Sequence, residues 1–187
     1  LVRTAGTNLL MDDLVRRAGI GGYVPAGLSK IGGSRVVQHW DVPEAKNQAK
    51  AALRAGAVDV LTLSPIWLPD PGIGKFARLA MRHNPAVRVL VQEFWLPNDE
   101  YVPVYPLQAD KVIDHNAATV AGLRKAHRAY CRDMEAYLRT INQHLGRQVL
   151  VVVPAAQASI ALRERVIAGK VAGIKTQADL FSDSWGH

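Results

Sequence analysis

At 187 residues, with 49% hydrophobic and 21% charged residues, the chain can bury one core without disulfides or metals and lacks the low-hydrophobicity signature of disorder. Its single cysteine, Cys131, excludes an internal disulfide framework and a cysteine-rich zinc site, and no run of about 18 apolar residues offers a membrane span. The formal charge of +7 comes from 23 basic residues dispersed along the chain; the densest group, Arg124, Arg128 and Arg132, carries no nucleic-acid motif, so nucleic acid is not an expected partner.

The start, Leu1-Val2-Arg3-Thr4, has neither an initiator Met nor a signal-peptide pattern and reads as cut. A weak strand is expected around Tyr23 to Ala26, before the glycine-rich GLSKIGGS. Pro43 to Ala55 reads as a helix, with Pro at the first helical position and Gly56 after its end. Three segments, Val58 to Leu63, Val87 to Gln92 and Gln148 to Val153, read as strands buried on both faces, as parallel strands are. Between and after them, helices are expected over Gly74 to His83, Ala117 to Leu145 and Ser159 to Ala168. The longest carries Val120, Leu123, His127, Tyr130, Met134, Tyr137, Leu138 and Ile141 on one stripe. This alternation predicts βα units around a mostly parallel sheet, in a single domain spanning 1–187.

Open parallel sheets bind ligands beyond the carboxyl ends of their strands, where loops and helix amino termini converge. That rule selects Ser64, Trp67 and Asp70 after the first strand, Glu93, Trp95, Asn98 and Asp99 after the second, and Pro154 and Gln157 after the third. In IGGSRVVQHW, Ile31 to Trp40, Gly33 lacks a Cβ, so its N–H can approach a developing oxyanion, with the Ser34 hydroxyl beside it; the plainer reading is a tight turn with a helix cap. Ser34 is half of a Gly-x-Ser-x-Gly elbow, but Val36 replaces the second glycine. His39 beside Trp40 reads as a packed residue more readily than as a base. His83, His115, His127 and His144 have no further ligand at metal spacing, so no metal is expected. With neither a Walker loop nor a Gly-x-Gly-x-x-Gly fingerprint after a strand, no nucleotide cofactor is expected either.

The last residues, LFSDSWGH, place Asp183 shortly before His187, an arrangement in which a carboxylate can hold an imidazole base in one tautomer. Together with AGI at Ala18 to Ile20, GGSRVVQHW, AGAVDVLTLSP at Ala55 to Pro65, NPAVRVLVQEFWLP at Asn84 to Pro97 and VVVPAAQA at Val151 to Ala158, this ordered set resembles the SGNH or GDSL hydrolase superfamily, especially its carbohydrate-esterase-like branches. The resemblance implies a three-layer α/β/α sandwich with a flavodoxin-like sheet. It implies a serine hydrolase acting on a small ester or an acylated carbohydrate, without a cofactor. His187 is then the base, Asp183 the acid, Gly33 and Ser34 the oxyanion donors, and Ser64, Trp67 and Trp95 border the substrate.

Three departures accompany the resemblance. In Gly6-Thr7-Asn8-Leu9, Asn8 stands at the position nearest to the family's nucleophilic serine, and an amide cannot attack an ester carbonyl. Ser64-Pro65-Ile66-Trp67 replaces the family's Gly-x-Asn oxyanion motif, and the usual Asp-x-x-His spacing falls on Ser184 rather than Asp183. The expectation is therefore a core trimmed at both ends, with its serine upstream. The alternative is a catalytically inactive domain of the same fold that binds a ligand or partner.

Overall fold

A computed structural model describes residues 11–96, 98–101 and 113–181. Among these, six helices and three strands follow in the order α1 (Met11–Arg17), α2 (Val36–Asp41), α3 (Gln48–Arg54), β1 (Val60–Leu63), α4 (Pro71–His83), β2 (Arg88–Gln92), α5 (Val120–Leu145), β3 (Leu150–Val153) and α6 (Ala155–Ile167). The strands form a parallel sheet in the order β1-β2-β3, with Val60 opposite Arg88 and Val89 opposite Leu150. The chain is thus of the α/β class. No described helix is long and apolar enough to cross a membrane.

Local chemistry sets the helix ends. Asp70 accepts from the Gly72 N–H and Pro71 needs no donor in the first turn, so α4 starts three residues earlier than the glycine at 74 suggests. Thr119 caps α5 through the Gly122 N–H, and Gly146, at φ 70°, closes it in the left-handed conformation. The helix expected over Pro43 to Ala55 is instead a 3-10 turn, Glu44–Lys46, followed by α3. Asn47 divides them, because its side chain accepts from the Lys50 N–H while its Nδ2 donates to the His39 carbonyl. α6 begins directly after Pro154, ahead of the expected Ser159.

Two expectations are corrected. Tyr23 to Ala26 forms no strand: Gly21 and Gly22 precede it, Pro25 withholds an amide, and Val24 is exposed. Burial on both faces holds for none of the three strands: Val89 and Val91, two residues apart in β2, are fully covered on one face, whereas on the other Arg88 is exposed, Leu90 only partly buried, and Val60 of β1 and Val151 of β3 are 52% and 46% exposed. The covered face is the one on which Leu63, Val89, Val91 and Leu150 stand side by side. There, Ile73, Phe76, Ala77 and Ala80 from α4 and Tyr130, Met134 and Leu138 from α5 join Val89 and Val91 in one cluster. α2 and α3 pack on α4, and α6 packs on α5.

Candidate functional site

The carboxyl ends of all three strands open on the same edge, and three side-chain clusters are built there. The first joins the loop after β1 to the turn before α2. Asp70 is fully buried, and its carboxylate accepts from the Val36 N–H at 2.6 Å, the Val37 N–H at 2.9 Å and the Gly72 N–H at 2.9 Å. One side chain therefore caps two helices and ties residues 32–37 to the end of β1. The double-glycine bend lies just ahead, with Gly33 exposed at φ 61° and no atom within 4 Å of where a Cβ would sit. Neither the Gly33 nor the Ser34 backbone N–H donates to a described residue.

The Ser34 hydroxyl, in contrast, is engaged. It donates to the Ile31 carbonyl at 2.7 Å and lies 2.7 Å from His39 Nε2. A hydroxyl has one proton, so Nε2 is the donor in the second contact; Nδ1 of the neutral ring then accepts from Ser29 Oγ at 2.8 Å. Burial pushes His39 below the usual histidine range and outweighs the opposing pull of the Asp70 carboxylate. This tautomer gives the ring no proton-accepting role toward Ser34. Of the two expected oxyanion donors, the Gly33 N–H is open, and Ser34 offers its backbone N–H rather than its hydroxyl.

The second cluster follows β2. Glu93 is fully buried and lies between α5 and α6: Cys131 Sγ donates to its Oε1 at 3.0 Å, Gln157 Nε2 donates to the same oxygen at 3.0 Å, and the Gln157 N–H reaches Oε2 at 3.3 Å. His127 Nε2 lies 3.3 Å from Oε2 and 3.2 Å from Cys131 Sγ. Burial by itself raises a carboxyl pKa, but the hydrogen bonds from Cys131 and Gln157 and the proximity of His127 prevail and hold Glu93 below its ordinary value. The Cys131 thiol is pushed up to about 12, first by burial and then by its hydrogen bond to Glu93 and the charges of Glu93 and Glu135. A groove of about 530 Å³ runs past His127, Cys131 and Gln157, with Arg128, Arg132 and Glu135 along it. Next to Glu93, the Phe94 N–H donates to Tyr130 Oη at 2.9 Å, and Trp95 packs against Phe94 with ring centroids 5.0 Å apart.

The third cluster is centred on Arg163 of α6, whose side chain is 3% exposed. Its guanidinium pairs with both oxygens of Asp99 and donates to the His115 carbonyl at 3.0 Å; its Nε donates to Gln177 Oε1 at 2.8 Å. His115 Nδ1 donates to Asp99 Oδ2 at 3.0 Å, and its buried Nε2 has no hydrogen-bond partner among the described residues. Asp99 and Leu96 hold positive φ of 60° and 55°, a conformation that side chains other than glycine rarely adopt. The Phe181 ring stacks on His115 at 4.0 Å and lies 5.5 Å below the Arg163 guanidinium. Arg163 thereby fixes the chain two residues before Asp183 to the loop that follows β2.

Asp183, His187 and Asn8 lie outside the described residues. Ser64, Trp67 and Trp95 are half-buried in the loops beyond β1 and β2. Of the strand-end residues that the sequence singles out, Asp70, Glu93, Asp99 and Gln157 are the polar centres of the clusters. Arg163 and the Cys131 contact to Glu93 have roles no local pattern signals, since their partners are distant in sequence, while Ser29 and His39, ten residues apart in the chain, meet through an irregular loop. For His127, a companion donor stands one helical turn on, at Cys131, a pairing left out of the expectation of no metal, and the fold adds Glu93 from the end of β2. In the arginine group, Arg124 pairs with Glu164 at 2.6 Å and Arg132 lies 3.6 Å from Asp133, which offsets part of its charge. No family model, curated protein or solved structure matches the chain.

Proposed function

We propose that the chain forms the core of an SGNH-like serine ester hydrolase, a three-layer α/β/α sandwich with a flavodoxin-like sheet, acting on a small ester such as an acetyl group on a carbohydrate. The observation that carries this reading is the anchoring of Phe181. The Asp99, His115 and Arg163 cluster holds the segment leading into Asp183 and His187 against a strand-end loop, on the edge that presents the open Gly33 N–H. In this reading a serine hydroxyl attacks the acyl carbonyl, His187 takes its proton, and Asp183 orients the imidazole. The Gly33 N–H receives the negative charge that develops on the carbonyl oxygen, and Ser64, Trp67 and Trp95 border the acyl or sugar group.

The test is hydrolysis of p-nitrophenyl acetate and of an acetylated oligosaccharide by the protein produced from its full natural reading frame and by the His187→Ala variant of that protein. The expected result is a loss of 100-fold or more in kcat/KM; equal rates remove His187 as the base. Asn8 at the position nearest to the family's serine favours a second reading, an inactive domain that binds a ligand through the same edge. A fluorophosphonate probe separates the two: labelling of one serine marks the enzyme, and no labelling marks the binder.

A further inference from the structure

We infer that Glu93, His127 and Cys131 form a site for a divalent transition-metal ion of borderline softness, zinc foremost. The donors come from two elements. Glu93 is the first residue after β2, whereas His127 and Cys131 are one turn apart on the same face of α5. One ligand atom from each, a carboxylate oxygen, an imidazole nitrogen and a sulfur, all lie within 4.8 Å of one another. Their closest separations are 3.0 Å for Glu93 Oε1 to Cys131 Sγ, 3.3 Å for Glu93 Oε2 to His127 Nε2 and 3.2 Å for Cys131 Sγ to His127 Nε2. A tetrahedral zinc ion, with bonds of about 2.0–2.3 Å, holds its ligand atoms about 3.3–3.6 Å apart. The two short contacts to Glu93 use different carboxylate oxygens, so with a single oxygen as ligand the three atoms span up to 4.8 Å, and rotation of the Glu93 carboxylate and the His127 ring closes the triangle to that size.

The chemistry of the set selects the metal. One nitrogen and one sulfur donor disfavour calcium and magnesium, which take oxygen, while mixed N, O and S ligation suits zinc and cobalt. Glu93 is oriented from behind by both the backbone and the side chain of Gln157, as metal-binding carboxylates are by their outer partners. Three protein ligands beside a groove leave the fourth position to a water or small anion, the pattern of a reactive rather than a purely structural zinc site. On binding, the Cys131 S–H bond breaks, its electron pair forms the metal–sulfur bond, and the proton passes to solvent; no oxidation state changes.

The site is tested by titrating the reduced, metal-free protein with cobalt(II) and zinc(II). The expected result is one ion per chain, an intense thiolate-to-cobalt charge-transfer band with tetrahedral d–d bands, and displacement of cobalt by zinc. Cys131→Ser and His127→Gln should each remove the charge-transfer band or weaken uptake at least 100-fold, with far-UV circular dichroism confirming the fold. Gln157→Ala should weaken binding about 10- to 100-fold, and His144→Ala, on the exposed side of α5, should leave it unchanged. Absence of the charge-transfer band from the unaltered protein overturns the inference without requiring any variant to fold. Uptake that persists at full strength in a folded Cys131→Ser variant also overturns it. Neither outcome bears on ester hydrolysis, which the assay above measures separately.

Discussion

Asp70 shows how much of the strand-end edge depends on one carboxylate. Replacing it with alanine leaves the Val36, Val37 and Gly72 amides without their acceptor and uncaps two helices at once. The expected cost is about 3 kcal/mol, read as a lower urea midpoint, and Asp70→Asn should recover only part of it because the charge is lost. At Cys131, a thiol pushed up to about 12 is almost wholly protonated at pH 8. Iodoacetamide should therefore alkylate it at least ~100-fold more slowly in the folded metal-free protein than in urea, as followed by mass spectrometry. At this scale the sequence holds the signal where chemistry is local, yet the Asp70-Pro71 pair, a cap followed by proline in the first turn, starts α4 three residues before the Gly74 expected from the chain. Glu93 and Gln157 could be placed at strand ends, but not against each other, because 64 residues separate them and only the sheet brings them together.

Elements meet most closely where α4 starts against α2. A Cβ on Gly72 would fall well inside contact distance of the Val36 and Val37 backbone, which cannot move without dragging the helix that Asp70 caps. Gly72→Ala should thus cost about 3 kcal/mol or prevent folding, whereas Gly74→Ala, whose nearest neighbours lie 3.6 Å away or farther, should be nearly neutral or slightly stabilising. Paired thermal melts test the contrast. At the other end of α5, Asn142 donates to the Leu150 carbonyl at 3.1 Å and accepts from the Val149 and Leu150 N–H groups, each at 2.9 Å, which fixes the helix terminus to the start of β3. Helix periodicity placed Ile141 on the buried stripe, and Asn142 is buried beside it. An asparagine there carries no helical signal, since its function is to satisfy strand amides that the helix itself does not contain.

Across the whole molecule, His39 and Glu93 set a common direction for the response to pH. His39 is lowered by burial, so the unfolded chain takes up its proton first on acidification. Its contribution is complete above about pH 6.5 and is lost as pH falls through the lower folded-state value. Glu93 is also lowered, so its contribution is present above the ordinary glutamate value and is lost as pH falls through its folded value. The expected outcome is a urea midpoint that declines from pH 7 to pH 5 and again below pH 4. His39→Gln should flatten the first decline and leave the second.

The amino-acid sequence by itself determined the α/β class, the three strands and their parallel sense, the span of the long helix and the edge on which polar residues gather. These follow from periodicity and caps, which act over a few residues. The tertiary structure alone decided that the strands are covered on one face rather than both, that the Ser34 hydroxyl is taken up by Ile31 and His39, and that Arg163 holds Phe181. It also brought the lone cysteine together with Glu93 and His127. The long-range members, Glu93 against His127 and Cys131 and Arg163 against Asp99, meet by packing whole elements against one another and leave no spacing in the chain, whereas the one-turn step from His127 to Cys131 is written in it.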